Sequence, residues 1–287
     1  MKTCLILFLL SFSLISKAQG WGDNDSLRVI HLHDNGVKIE KGRVIAWFPK
    51  DSLSMAKMKR IVDTLNLGIT KVEVLIDAPF SWQVYANKPV VYYFSPEKFI
   101  SHASWTGYVF IPFWRIKEGK SPWLHEALHI LLRTNTGSWS DVSFEERKEL
   151  MPLWLTEGLP DYLESKTSYM NQLPRFDLWN DGGFTMTDAS CLSKLNGKNG
   201  DYVLEYIGRE GPLPELFGEN RREYSPIFYN CSFSFNKYIG EKYGQGVLLG
   251  AISNFKNEHQ VIESKTGRTI AQLKEDWLRE IRMNAKK

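Results

Sequence analysis

A pair of histidines in an apolar run constrains the fold of this chain more than any other sequence feature. His125 and His129 stand four positions apart in the run His-Glu-Ala-Leu-His, a spacing that places two side chains on one face of an α-helix. Both imidazoles can then reach one metal ion, and Glu126 is placed to act as a base toward a metal-bound water. Because the pattern fixes only three positions, its interpretation depends on context, and two core histidines without a ligand role are the alternative.

The surrounding residues predict a helix from about Pro122 to Arg133. Ser121 is a favourable N-cap residue, and proline is favourable at the first helical position. Leucine and isoleucine residues supply apolar surface, and the sequence Thr-Asn-Thr-Gly at 134–137 predicts the end of the helix. The histidine face is therefore expected to be buried, where a glutamate without a cation beside it is costly. This cost favours a metal-ligand set over two core histidines.

A second motif, Trp-Leu-Thr-Glu-Gly at 154–158, supplies a candidate third ligand in Glu157. With this motif the chain resembles the gluzincins, the thermolysin-like and M1-aminopeptidase-like metallopeptidases of the peptidase MA group. The resemblance implies that His125, His129 and Glu157 bind one Zn²⁺ ion, with water as the fourth ligand. It also implies that Asp161, four residues after Glu157, orients a metal-bound histidine. An exposed aspartate in a first helical turn is the alternative for Asp161. The resemblance spans most of the chain but is specific only between Ser121 and Tyr162.

Pro160 departs from the family pattern, because M1-like enzymes tend to carry a small residue at the corresponding position. Proline is tolerated in the first turn of a helix, where backbone N–H groups lack helical partners. We therefore expect the second motif's helix to begin near Thr156 or to show a kink at Pro160.

The resemblance further implies a mechanism of peptide hydrolysis. Glu126 takes the proton of the zinc-bound water and passes it to the departing amine. A tyrosine from the C-terminal region donates a hydrogen bond to the developing oxyanion. Tyr229 is the favoured candidate and Tyr224 the other, although Tyr229 is equally compatible with a packing role. No Gly-x-Met-x-Asn run precedes His125, which argues against an M1-type aminopeptidase and slightly favours an endopeptidase.

The N-terminus predicts export. A lysine at the second position, an apolar stretch from Cys4 to Ile15 and the small-x-small sequence Ser16-Lys17-Ala18 are typical of a signal peptide over residues 1–18. An uncleaved N-terminal anchor is the alternative. We expect a mature chain from about Gln19 that is periplasmic or extracellular and has no stable membrane insertion.

Charge and cysteine content narrow the classes of partner. The formal net charge is +3, and it falls to +1 when the two lysines of the predicted signal peptide are removed. This balance, without a basic block, argues against a nucleic-acid partner and leaves a peptide or protein substrate. Cys191 and Cys231 remain in the mature chain, and they either pair or stay as buried thiols. The oligomeric state stays open.

The predicted fold class is α+β, a zincin-like catalytic domain with the zinc site between two lobes. A β-rich N-terminal lobe with a small mixed sheet covers residues 19–118, and the zinc helix and a mainly helical C-terminal lobe cover residues 119–287. The two lobes form one integrated catalytic domain. Residues 173–218, rich in Asn, Asp, Gly and Pro, are expected to be irregular.

Periodicity and turn signals place the individual elements. His31 and His33 are predicted in a strand, and His102 and His259 in loops, with a structural or exposed role for each. The strand at 108–113 is either a sheet edge that pairs with an extended substrate or a plain core strand. Strands are predicted at 43–48, 71–76, 89–94 and 108–113, and helices at 52–65, 225–244, 245–255 and 269–283, the last with a capping box.

Two other interpretations compete with a secreted zinc peptidase. The first is a catalytically silent peptidase fold that binds peptide or glycan, which the intact Glu126 disfavours. The second is an accidental match, which requires Glu157 and Asp161 to be accidental as well.

Overall fold

The described part of the chain forms an α+β fold, as predicted: a five-stranded mixed sheet is followed by a mainly helical region. No helix in this part is long and apolar enough to cross a membrane. The predicted signal peptide lies outside the described residues. The computed structural model describes residues 24–76, 89–104, 108–119, 121–134, 152–167, 186–209, 221–254 and 257–285.

The described residues divide into two compact units. The first contains residues 24–134 with Thr167, and the second contains residues 152–166 with 186–285. The boundary between lobes at residue 118 stays a prediction.

The first unit contains all five strands. Strands β2 and β3, and β3 and β5, are parallel, whereas β1 and β4 pair antiparallel with β2 and β5. The order across the sheet is β1-β2-β3-β5-β4. The elements of this unit are α1 (Asp25–Asn35), β1 (Gly36–Lys41), β2 (Val44–Pro49), α2 (Met55–Leu75), β3 (Val90–Ser95), β4 (His102–Ala103), β5 (Tyr108–Pro112), α3 (Phe113–Lys117) and α4 (Trp123–Thr134).

Alternation along β2 shows which residues form the core of the sheet. Val44, Ala46 and Phe48 are fully buried, while the residues between them are half-buried. The Phe48 ring stacks on Phe94 of β3 with ring centroids 4.8 Å apart. The strands predicted at 43–48, 89–94 and 108–113 are therefore confirmed to within one residue at each end.

The prediction of a strand at 71–76 was wrong. Residues 71–75 extend helix α2 well beyond the predicted end at residue 65. The sequence Lys-Val-Glu-Val-Leu-Ile alternates like a strand, but Leu65, Ile69 and Val72 continue the helical spacing of buried residues. The strand predicted around His31 and His33 was also wrong, because both residues lie on α1.

The strand predicted at 108–113 is not the edge of the sheet, which was the first of its two alternatives. Strand β5 lies between β3 and β4 and is a core strand. The edge beside it is β4, which contains His102, a residue predicted in a loop. The strand β4 has only two residues, too few for an alternating pattern that would predict it.

The second unit is helical. The prediction at 245–255 and the capping box of the last helix, formed by Thr269 and Gln272, are confirmed. The segment 173–218 is not irregular throughout, because two helices lie within it, and His259 lies on a helix rather than in a loop. The elements of this unit are α5 (Leu153–Ser165), α6 (Asp188–Leu195), α7 (Gly200–Leu204), α8 (Arg221–Tyr243), α9 (Gln245–Ser253), α10 (Glu258–Thr266) and α11 (Ile270–Asn284).

Candidate metal centre

Helix α4 carries the first motif, as predicted. The helix begins at Trp123 because the Pro122 carbonyl accepts the first helical hydrogen bond, from the Glu126 amide at 3.0 Å. Pro122 is therefore the cap residue, and the prediction of Ser121 as N-cap was wrong. The Ser121 hydroxyl is buried and has no hydrogen-bond partner among the described residues. Proline suits the cap as well as the first turn, since its missing N–H is not needed at either position.

The start of α4 is held against the rest of the first unit. The Trp123 side chain is fully buried, and the Tyr92 hydroxyl of β3 donates to the Trp123 carbonyl at 3.3 Å. Gly68 of α2 faces the Trp123 ring so closely that a Cβ at this position would overlap with the ring. These contacts fix the position of His125 relative to the sheet.

The two histidines of α4 converge on one point. Their Nε2 atoms lie 2.9 Å apart, and the rings are nearly perpendicular, with centroids 4.6 Å apart. Two nitrogens bound to one tetrahedral zinc at about 2.0 Å would lie about 3.3 Å apart. The pair is thus already close to the separation that a shared metal ion requires.

Glu126 and His129 are both buried, with 7% of each residue exposed, and His125 is half-buried. The expected burial of this helix face is therefore confirmed. A carboxylate with so little exposure is stabilised only by nearby cations or donors.

A histidine with a raised pKa, His102, lies near Glu126 on the edge strand β4. Burial lowers the pKa of His102, but its hydrogen bonds to Asp25 and Ile100 and the charges of Asp25 and Glu126 outweigh burial and raise that pKa. The His102 Nε2 atom lies 2.7 Å from the Asp25 carboxylate, and Nδ1 lies 2.9 Å from the Ile100 carbonyl oxygen. The Asp25 side chain is fully buried and also accepts from Arg28 at 2.7 Å.

This cluster could have been anticipated only in part. The spacing of Asp25 and Arg28 is a helical i, i+3 ion pair, but helix α1 was predicted as a strand. His102 therefore looked like an isolated histidine, whereas the structure gives it two hydrogen-bond acceptors.

Helix α5 carries the second motif and begins at Leu153, three residues before the predicted Thr156. The Pro152 carbonyl accepts from the amides of Leu155 and Thr156, so a proline again caps the helix. Pro160 lies inside α5, so the prediction of a start near Thr156 was wrong, and a kink at Pro160, the other alternative, stays a prediction. The proline at the start of this helix is the cap residue Pro152, whereas Pro160 lies beyond the first turn.

The residues beside Glu157 fix α5 against α8. Trp154 is fully buried against Phe235, with ring centroids 5.3 Å apart. A Cβ at Gly158 would overlap with the Ser232 carbonyl oxygen and the Asn236 side chain, so the helices meet at their backbones here. The Asn236 amide donates to the Trp154 carbonyl at 2.9 Å. The tryptophan and glycine of the second motif therefore serve packing, and they leave Glu157 half-buried between them.

The structure brings together the three predicted ligands. One ligand atom each of His125, His129 and Glu157 lie within 4.8 Å of one another. Two imidazole nitrogens and one carboxylate oxygen form a donor set that suits zinc in a site with one open position. This His-His-Glu group can hold a metal ion.

A second group shares His125 and adds Asp161 and Glu164, again with ligand atoms within 4.8 Å of one another. Asp161 is buried rather than exposed, which contradicts the alternative of a solvated aspartate. Its role as the partner of a metal-bound histidine stays a prediction. Sequence analysis did not identify Glu164, although the spacing 157, 161 and 164 places three acidic residues on one helix face.

The structure places Tyr229 on α8 and leaves its proposed role untested. Tyr229 is half-buried, as is Tyr224 on the same helix, whose ring lies 5.1 Å from Tyr202. The prediction that a tyrosine supports the oxyanion stays a prediction. Helix α8 begins at residue 221, four residues before the predicted start at 225.

Comparisons with known proteins give no family for this chain. No protein-family model matches it. Searches of curated proteins and of solved structures find no match either.

Proposed function

We propose that this protein is an exported zinc-dependent peptidase of the gluzincin type. The observation that carries the proposal is the convergence of His125, His129 and Glu157, with Glu126 buried on the same helix as the two histidines. The two motifs are separate in the sequence, yet one ligand atom from each of the three residues lies within 4.8 Å of the others.

The three ligands would hold the metal through two imidazole nitrogens and one carboxylate oxygen. A zinc ion bound there would supply Lewis acidity and a water molecule with a pKa near neutrality. Asp161 accepts a hydrogen bond from a ring N–H of His125, which fixes the tautomer that ligation needs.

Glu126 is the general base of the proposed reaction. Its carboxylate accepts a proton from the attacking water and donates that proton to the nitrogen of the departing amine. Tyr229 donates its hydroxyl hydrogen to the oxyanion that forms at the scissile carbonyl. The substrate is a peptide or protein outside the cytoplasm, and endopeptidase action is favoured over removal of single N-terminal residues.

A peptide-cleavage assay tests the proposal. The zinc-loaded protein is incubated with a diverse peptide mixture, the products are read by mass spectrometry, and Glu126→Gln is run alongside. We expect cleavage by the unchanged protein and a loss of at least about 100-fold in the variant, the lower end of the contribution of a general base. Cut sites inside the peptides would identify an endopeptidase.

Metal analysis separates the competing interpretations. Stoichiometric zinc without cleavage of any peptide would favour a binding protein for peptide or glycan. Absence of stoichiometric zinc after dialysis against zinc would contradict both the peptidase and the binding protein with a metal site. Zinc content of Glu126→Gln serves as the control, because that variant keeps all three ligands.

A further inference from the structure

The two cysteines of the second unit lie in contact. Cys191 on α6 and Cys231 on α8 are both fully buried, and their Sγ atoms lie 3.3 Å apart. A disulfide requires a sulfur separation of about 2.05 Å, so the atoms must approach by a little more than 1 Å. We propose that Cys191 and Cys231 form an intramolecular disulfide that braces α6 against α8. The inference depends on the proposed export to an oxidising compartment and not on the proposed peptidase activity.

Polar contacts on both sides of the thiols fix the register of the two helices. Ser190, next to Cys191, donates to the Asn230 side chain, next to Cys231, at 2.6 Å. The Asp188 carboxylate accepts from the Ser234 hydroxyl at 2.7 Å on the other side.

Further contacts hold the start of α6. Lys237 of α8 forms an ion pair with Asp188 at 2.5 Å, and Thr187 and Ser190 form a capping box. Because these contacts hold α6 and α8 together without a sulfur–sulfur bond, the two sulfur atoms already lie near bonding distance.

The oxidation requires an external disulfide, such as oxidised glutathione. One cysteine thiolate attacks it, forms a mixed disulfide and releases one glutathione thiolate; the second cysteine then displaces the other glutathione. Two cysteine thiols lose two electrons and two protons, and one external disulfide is reduced to two thiols. The contact with Cys191 and burial both raise the pKa of the Cys231 thiol, so the folded protein reacts slowly. Exchange therefore takes place during folding or local opening.

The disulfide would support the candidate metal centre from a distance. Cys231 precedes Ser232, whose carbonyl oxygen lies against Gly158 of α5. Gly158 follows the candidate ligand Glu157. A bond that fixes α8 at residue 231 therefore stabilises the helix against which the Glu157 segment packs.

Alkylation and intact-mass measurement test the bond. Cys4, the third cysteine of the chain, is changed to serine in every protein, so that only the proposed pair can react. The full chain is refolded with excess oxidised glutathione, denatured and treated with iodoacetamide. We expect no alkylation before reduction and two alkyl groups after it. Two alkyl groups without reduction, or a glutathione adduct on each cysteine, would overturn the proposal.

Melting temperature tests the bracing. With zinc held constant, we expect the oxidised protein to melt about 5–10 °C above the reduced protein. Cys191→Ser with Cys231→Ser is the matched control and should not respond to reductant. A disulfide seen by mass but without an effect on melting would refute the bracing of α6 against α8. Zinc content and peptide cleavage are independent readouts, so failure here is distinguishable from failure of the peptidase proposal.

Discussion

The two helices that carry the candidate ligands are held in place by different kinds of contact. Helix α4 is fixed by side chains: the buried Trp123 ring against Gly68, and a hydrogen bond from Tyr92. Helix α5 is fixed by backbone contact at Gly158 and by the Asn236 amide. Side chains can repack, whereas backbone atoms of two helices separate only if a whole helix moves. The Glu157 side of the candidate centre should therefore tolerate less change than the histidine side.

The largest expected effect tests whether the two helices contribute to one centre. His129→Ala and Glu157→Ala should each lower zinc affinity by more than about 100-fold, beyond the range for loss of an outer partner. Asp161→Asn is the control for a residue that orients a ligand without binding the metal, and we expect it to lower zinc affinity by about 10–100-fold. Zinc affinity is measured by competition with a chelator. Equal zinc binding by Glu157→Ala and the unchanged protein would show that Glu157 is not a ligand.

The same series distinguishes the two candidate groups that share His125. Glu164→Gln should leave zinc affinity nearly unchanged if His125, His129 and Glu157 are the ligands. A large loss with Glu164→Gln and none with Glu157→Ala would instead favour the group containing Asp161 and Glu164.

Glycine substitutions test the two kinds of packing directly. Gly158→Ala should destabilise the protein by about 1–3 kcal/mol, since the new methyl group meets a backbone carbonyl that cannot rotate away. Gly68→Ala meets a tryptophan ring instead, and we expect a smaller loss. Alanine favours both helices by up to about 1 kcal/mol, so the difference between the variants is the informative quantity. Urea denaturation measures it, and a larger loss at Gly68 would reverse the comparison.

The sequence predicted helix α4 more accurately than helix α5. Helix α4 followed from local signals, because its histidines, apolar residues and proline all agree on one helix. The start of α5 was missed because a proline at 160 suggested a first turn, while packing of Trp154 and Gly158 against α8 stabilises a longer helix. Such packing depends on residues 74 to 82 positions away in the chain, which no local pattern contains.

The cluster around His102 was missed for the same physical reason. His102 and Asp25 are separated by 77 positions and meet through the pairing of β4 with β5 and the packing of α1. The error at α2 has a different cause. The alternation at 71–76 predicted a strand, although the helical pattern that begins earlier in α2 continues through residue 75. Local alternation is a weak guide when the longer periodicity of a segment disagrees with it.

The smallest expected effect is a pH dependence confined to the first unit. The folded-state pKa of His102 is raised above its usual value of 6.5, so its contribution to stability is fully present below pH 6.5. That contribution is lost as pH rises through the folded-state pKa. In the second unit, burial lowers the pKa of Lys237, but the hydrogen bond and charge of Asp188 outweigh burial and raise that pKa, so Lys237 keeps its charge across neutral pH.

Hydrogen exchange resolved by peptide tests this difference. After correction for the intrinsic rate, protection of α1 and β4 should fall as the pH rises above the usual histidine pKa of 6.5, whereas protection of α6 and α8 should not. His102→Gln is the matched variant, because it keeps a side-chain donor toward Asp25 without a titrating charge. Protection that changes equally in both units, or that still falls with pH in α1 of the variant, would assign the dependence to another group. A fall confined to α1 and β4 would show that the edge strand next to α4 is held by an ion pair, a third kind of contact beside ring packing and backbone contact.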